Sequence, residues 1–234
     1  MTIDHPQQAE RASCESTSLR GHRFSVHAEE VWLVADLLCV GVITGDDANK
    51  SALAACRGPD VLHIATHAYG LSSLNAIGSW TWGSARIPRD ALLDSGLILA
   101  GADDVASGKE IGTKYGKGIL TGREVAELRL DGTRLAVRSA CDTGIGQVRR
   151  GQGVLGLSAA FLAAGADAVI LTLWKVEDQS TTEFMKCFYS ALTSTGDETQ
   201  AFRRAQSSMA QKFTDPRAWA AFQHYGRASS ARIQ

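Results

Sequence analysis

The chain has little of what would mark it as a secreted, metal-binding or membrane protein. Its 234 residues hold five cysteines, which are widely scattered and form neither a C-x-x-C pair nor a Cys/His cluster with zinc-ligand spacing. These are Cys14, Cys39, Cys56, Cys141 and Cys187. The pattern argues against a disulfide framework and a structural metal, and four of the thiols are expected to act as small apolar residues.

Charge of either sign is not in excess, because 24 Lys and Arg residues nearly balance 25 Asp and Glu residues. No overall field therefore favours nucleic acid or an anionic membrane as a partner. The longest apolar-looking stretch, VWLVADLLCVGVITG, is interrupted by Asp36 and is shorter than the roughly 20 residues that span a bilayer. Since the first residues also lack the apolar core of a secretory signal, we expect a cytoplasmic protein without a membrane segment.

No internal repeat is visible, and the length suits one domain. Residues 1–28 are polar and show no clear period, so they are expected to form a poorly ordered lead-in. Residues 29–234 are expected to form the domain itself.

Short apolar runs alternate with helical patterns through the rest of the chain. Strands are predicted at 60–66, 95–101, 133–140 and 167–174. Helices are predicted within 45–56 with Asp46 or Asp47 as N-cap, at 121–128 with Thr121 and Glu124 at capping-box spacing, at 153–165 ended by Gly165, at 179–196 capped by Asp178, and at 197–213. Nearly continuous apolar strands separated by helices predict an α/β fold, with a mostly parallel sheet covered by helices on both faces.

The carboxyl ends of parallel strands open on one edge of a sheet, and this edge is where sites form. The strand DVLHIAT is followed by His67, and the strand TRLAVRSA is followed by Cys141. An imidazole close to a thiol can accept its proton or stabilise the thiolate, so the pair suits acyl transfer by a cysteine nucleophile. His63, inside its strand, is interpreted as a hydrogen-bonded core histidine.

Two further features surround these strand ends. The segment CDTGIGQVRRGQG, which follows the third strand, is rich in glycine, as expected where a backbone passes close to a ligand. Trp174, Trp219 and Phe222 are interpreted as aromatic residues of the core or of a groove rather than as ligand-stacking groups.

Several motifs resemble those of one family in that family's order. HIATHA, SACDTG, GQGVLGLSAAFLAAGADAVILTLWKVED, FYSAL and DPRAWAAFQHYG look like the CHAT domain, a branch of the caspase and separase clan of cysteine peptidases that is often joined to tetratricopeptide (TPR) repeats. The resemblance covers roughly residues 43–226, and 29–234 would be such a domain, incomplete at its N-terminal side. It implies a caspase-like sheet and a cysteine endopeptidase that hydrolyses a protein substrate through a thioester, needs neither cofactor nor metal, and is regulated by a partner such as a TPR protein.

The resemblance also implies roles for individual residues. His67 would be the catalytic base and Cys141 the nucleophile, and the backbone N–H groups of Ala68 and Cys141 would bind the oxyanion. Ser139 would line the pocket for the substrate side chain before the scissile bond, with Asp142 nearby. Ala68 replaces a glycine that is frequent in the family, which requires that its φ be negative.

Three alternatives stay open. Asp142-Thr143-Gly144 matches the aspartic protease triplet, although such sites need two carboxylates in an all-β framework. GQGVLG, at 151–156, matches the dinucleotide-binding pattern, but about ten residues separate it from the preceding strand. The third alternative is a caspase-like module that binds a partner without catalysis.

Overall fold

The central sheet contains three of the four predicted strands. In the computed structural model, which describes residues 2–3, 28–70, 92, 95–102, 118–139 and 152–226, the sheet has five strands. In chain order these are β1 (Thr2–Ile3), β2 (Val61–Ala65), β6 (Leu135–Ser139), β7 (Ala168–Thr172) and β8 (Phe222–Gly226). Strands β2, β6 and β7 are adjacent and parallel, whereas β1 and β8 are antiparallel edge strands.

Helices cover both faces of this sheet. They are α1 (Ala28–Leu38), α2 (Lys50–Ala55), α3 (Gly122–Ala126), α4 (Gln152–Ala163), α5 (Asp178–Thr195) and α6 (Glu198–Lys212), with 3-10 turns at Gly45–Asp47 and Pro216–Ala218. Alternate strand residues point to opposite faces. Val61, Val137 and Ile170 belong to one buried cluster, together with residues of α1, α5 and α6. Leu62, Ala136 and Val169 belong to the other, together with residues of α2, α3 and α4. The predicted α/β architecture is therefore confirmed.

The strand predicted at 95–101 belongs to a second sheet. This sheet consists of β3 (Ala68–Gly70), β4 (Ser95–Ile98) and β5 (Ile119–Thr121), all antiparallel. The expectation that β4 joins the parallel sheet is wrong. Three of its four residues are buried, so its apolar character is the same as that of a central parallel strand.

Helix starts show which capping residues the sequence pattern identifies. The capping box is present, since Thr121 accepts a hydrogen bond from the Glu124 N–H while the Glu124 side chain accepts from the Thr121 N–H. The N-cap of α2 is Asn49, whose side chain accepts from the Ala52 N–H, and not Asp46 or Asp47, which lie in the preceding 3-10 turn.

At the start of α5, the predicted capping residue lies one position too far along the chain. Asp178 is the first residue of the helix, and the N-cap is Glu177, whose side chain makes no capping hydrogen bond. Asp197, the first residue of the helix predicted at 197–213, is instead the N-cap of α6, and its side chain accepts from the Gln200 N–H at 2.8 Å.

Gly165 ends α4 as predicted, with a φ of +112°. A Cβ at this position would lie 2.7 Å from the backbone nitrogen of Asp131, so the site requires glycine for space as well as for conformation.

Two residues of the N-terminal segment belong to the central sheet. Thr2 and Ile3 pair with His63 and Leu62 as the antiparallel strand β1, which the polar composition does not predict. Most of the predicted lead-in lies outside the described residues. Among the helices of the described residues, none is long and apolar enough to cross a membrane.

Candidate active site

The neighbouring strands β2 and β6 end at the same level. Their parallel register pairs Ala65 with Ser139, the last residue of each strand. His67 follows Ala65 by two positions, and in the sequence Cys141 follows Ser139 by two. The two strands that precede His67 and Cys141 are therefore adjacent and parallel. Cys141 and Asp142 lie outside the described residues.

His67 connects the two sheets. It lies between β2 and β3 and is half-exposed, and its carbonyl accepts a hydrogen bond from the Ile98 N–H at 2.8 Å. The preceding residue, Thr66, donates its hydroxyl hydrogen to the Ile98 carbonyl. Two successive residues are thus anchored to the same residue of β4, which fixes the backbone that carries the imidazole.

Ala68 has the backbone conformation that its side chain requires. It begins β3 and is buried. Among the described residues other than glycine, Cys39 has a positive φ and Ala68 does not, so replacement of the family's glycine is tolerated here.

The N–H of Ala68 points away from β4. In a trans peptide the carbonyl of one residue and the N–H of the next point in opposite directions, and the His67 carbonyl is bonded to β4. Among the described residues β3 is an edge strand of its sheet, so this N–H lies on the side of β3 opposite β4.

Ser139 is fully buried at the end of β6. Its exposed fraction is 0%, and its hydroxyl has no hydrogen-bond partner among the described residues. A buried hydroxyl left without a partner costs about 1–3 kcal/mol, so its presence at this position calls for an explanation. A role in lining a substrate pocket, as the resemblance implies, remains a prediction.

His63 forms part of a buried polar chain that joins two helices to the sheet. Its Nδ1 lies 2.8 Å from the hydroxyl oxygen of Tyr189 on α5. Its Nε2 lies 3.1 Å from Oε1 of Glu30 on α1, close enough for an ion pair although not aligned as a hydrogen bond. The prediction of a hydrogen-bonded core histidine is confirmed. No local pattern indicates its two partners, because Glu30 is 33 positions away and Tyr189 is 126.

The buried chain also acts on the tyrosine. Burial first, and the neighbouring Glu30 carboxylate second, raise the pKa of Tyr189 well above its usual 10.0. The phenol therefore stays neutral and serves as a hydrogen-bonding partner of His63.

A third strand end carries an exposed aromatic residue. Strand β7 ends at Thr172, and Trp174 follows it by two positions with 40% of its surface exposed. Its indole N–H donates to the Arg217 carbonyl at 3.0 Å. The interpretation of Phe222 as a core residue is confirmed, since it is fully buried and stacks on Phe184.

The described residues contain no cluster of three or more metal-ligating side chains. The described strand before GQGVLG, β6, ends at Ser139, whereas α4 begins at Gln152, and residues 140–151 lie outside the described part. The mixed helices and strands also differ from the all-β framework of aspartic proteases, which leaves the Asp-Thr-Gly alternative without support from the fold.

Parallel strands flanked by helices, with a histidine after one strand end and a cysteine after the next, define a caspase-like α/β domain. The chain belongs to the CHAT domain family, whose sequence model matches residues 3–227. It is 30% identical to tetratricopeptide repeat protein 28 of Mus musculus over 83% of its length, and 30% identical to tetratricopeptide repeat protein 28 of Homo sapiens over 85%. The chain spans 8% of the length of these two relatives.

Proposed function

We propose that the chain is a cysteine endopeptidase in which Cys141 is the nucleophile and His67 the base. The observation that carries the proposal is the pairing of Ala65 with Ser139, because it brings the two strand ends that precede these residues side by side. Neighbouring strands lie about 4.8 Å apart, within the reach of an imidazole and a thiol that follow them.

The reaction follows from the chemistry of the two side chains. A free thiol has a pKa of about 8.5 and is only a few per cent thiolate at neutral pH, so the nucleophile needs a base. His67 takes the proton of Cys141, and the sulfur attacks the carbonyl carbon of the scissile peptide bond. The histidine then gives its proton to the leaving amine, which departs and leaves a thioester. Water, deprotonated by His67, attacks the thioester and releases the acid and the thiol.

The oxyanion of the tetrahedral intermediate needs donors that are already oriented. The Ala68 N–H is proposed as one of these donors, because it directly follows the proposed base and points away from β4. The N–H of Cys141 would be the second donor. Ser139 and Asp142 would line the pocket for the substrate side chain that precedes the scissile bond.

We propose in addition that a repeat protein regulates the site. The two relatives are named for tetratricopeptide repeats and are much longer than this chain, which suggests that the domain works next to such repeats, in the same or in a partner polypeptide. A partner that shifts loops around a nucleophile can keep a protease latent until it is needed.

The test is site-specific labelling of the cysteines by an iodoacetamide probe and by an electrophilic peptide, mapped by mass spectrometry. Cys141 should react at least tenfold faster than Cys56 and Cys187, and His67→Ala should remove this advantage. Cys56 and Cys187 are controls in the same molecule: Cys56 is buried, and burial raises the pKa of its thiol, while Cys187 is half-buried on α5. Equal labelling of all three, with and without an added TPR protein, would contradict both the catalytic and the regulatory proposal.

A further inference from the structure

Trp174 follows the end of β7 by two positions, as His67 follows β2 and Cys141 follows β6 in the sequence. The register of β6 and β7 pairs Val137 with Ile170, and continuing it places Thr172 opposite Ser139. Strands β2, β6 and β7 therefore end at one level, and Trp174 follows the last of them by two positions. It lies at the same edge of the sheet as His67, on the other side of β6.

The indole of Trp174 is exposed yet held in place. Together with Trp32 on α1, it is one of two exposed large apolar side chains among the described residues. Its N–H donates to the Arg217 carbonyl at 3.0 Å. The preceding Leu173 N–H donates to the Ala221 carbonyl at 2.9 Å, and Val176 is buried. An aromatic surface that is rigid before binding loses little entropy when it takes up a ligand.

Among the described residues, the charged side chains close to Trp174 in the chain or at its hydrogen-bond partner largely cancel. Lys175 and Glu177, both exposed, follow it in the chain. Arg217 is bound to Asp215, with Nη2 and Oδ2 2.7 Å apart. An aromatic face without an excess of either charge suits an apolar side chain better than an acidic or a basic one.

We infer that Trp174 forms a subsite for an apolar side chain of the peptide substrate, an inference that rests on the proposed function. One strand spacing of about 4.8 Å separates β7 from β6, which is less than the length of two residues of an extended peptide, about 6.6 Å. The side chain bound by Trp174 thus belongs to a residue within about two positions of the scissile bond. Trp174 then determines specificity and takes no part in proton transfer.

Random peptides displayed on phage and selected on the Cys141→Ala variant test this subsite independently of catalysis. The selected peptides should share an apolar residue at one position. Synthetic versions should bind Cys141→Ala at least tenfold more tightly than the Cys141→Ala, Trp174→Ala double variant, because an apolar contact of this size changes affinity by about 10-fold or more. Trp174→Phe in the same Cys141→Ala protein should restore most of the binding, and Trp32→Ala, which removes the other exposed indole of the described residues, should leave it unchanged.

The possible outcomes separate this inference from the proposed function. No enriched peptide, peptides without an apolar position, or equal binding by the variants with and without Trp174 would overturn the inference. The labelling rate of Cys141 by iodoacetamide reports on the dyad alone. If Cys141 is labelled slowly but peptide binding depends on Trp174, the chain is a peptide-binding domain and the proposed peptidase activity is contradicted.

Discussion

Two histidines four positions apart have different surroundings, and the strand geometry explains why. His63 lies within β2, and its side chain points into the core, where Glu30 and Tyr189 surround it. His67 lies beyond the strand end, where the chain passes from one sheet to the other. The sequence distinguishes them by position alone, because a residue inside an apolar run is buried and one that follows the run reaches the edge.

Tyr189→Phe tests the buried polar chain through its alkaline behaviour. The pKa of Tyr189 is higher in the folded protein than the usual 10.0, so the folded state holds this proton more tightly than the unfolded state. The stabilisation of the folded state that results from this difference in pKa is fully present below about pH 10, and it is lost as the pH rises toward the pKa of the folded state. The free energy of unfolding of the wild type should therefore fall more steeply above pH 10 than that of Tyr189→Phe.

The measurement is urea denaturation at a series of pH values from neutral to strongly alkaline. At neutral pH, Tyr189→Phe should be less stable by about 1–3 kcal/mol, because Nδ1 of His63 loses its partner. Tyr225→Phe, at a half-buried position on β8, is the matched control for the loss of a phenol hydroxyl that does not contact His63. Parallel curves for wild type and Tyr189→Phe above pH 10 would show that the buried phenol is not coupled to folding.

Thr66→Val tests whether the anchoring of the backbone positions His67. The substitution keeps the shape of the side chain and removes the hydrogen bond to the Ile98 carbonyl. It should reduce the labelling rate of Cys141 by about tenfold, since displacements of about 1 Å in an active site can cost up to 100-fold in rate. The pH at which labelling reaches half its maximum should also change, which a loss of stability alone would not produce.

The control for Thr66→Val is Thr193→Val on α5. Thr193 likewise donates a hydroxyl hydrogen to a backbone carbonyl, that of Ser190 at 3.0 Å, but it is exposed on a helix that does not carry the proposed catalytic residues. Cys141 of the Thr193→Val variant should be labelled at the same rate as Cys141 of the wild type. If both variants react alike, the contact with Ile98 does not position the histidine.

At the scale of elements, local patterns predict four of the eight strands and five of the six helices of the described residues, but not which sheet a strand joins. The strands at 60–66, 133–140 and 167–174 are present in the predicted parallel sheet, and the capping box at Thr121 is formed. A buried apolar run looks the same in parallel and antiparallel sheets, so the place of β4 depends on the reversal of the chain after His67, which has no local signal. The two residues of β1 are too few to show a period.

Gly165→Ala tests the close approach at the end of α4. Alanine would be strained at a φ of +112°, and its Cβ would also lie 2.7 Å from the Asp131 nitrogen. At Gly132, with a φ of +88°, an added Cβ would have no other atom within 4 Å, so this position isolates the conformational part of the cost. Gly132→Ala should lose about 1–2 kcal/mol of unfolding free energy, and Gly165→Ala should lose clearly more.

Chemical denaturation of the two glycine variants is the measurement. Equal losses would mean that the turn before β7 moves enough to remove the clash with Asp131. The comparison matters for the site because α4 follows the glycine-rich segment that contains Cys141, and β7 follows α4 directly.

At the scale of the whole molecule, the sequence identifies the family and the edge of the sheet at which the chemistry is expected. The order of the strands places β6 between β2 and β7, and this order follows from packing over the entire domain rather than from any single motif. The exposure of Trp174 could not be predicted for the same reason, because an aromatic residue after an apolar strand is as compatible with burial as with exposure.

The continuity of β2 and β3 gives the smaller sheet influence over the position of the proposed base. Thr66 and His67 connect β2 of the central sheet to β3 of the smaller sheet, and both residues are hydrogen-bonded to Ile98 of β4. A partner that tilts the antiparallel sheet would therefore move the imidazole with it. Alignment of the proposed base would then be adjustable from a surface well away from any substrate.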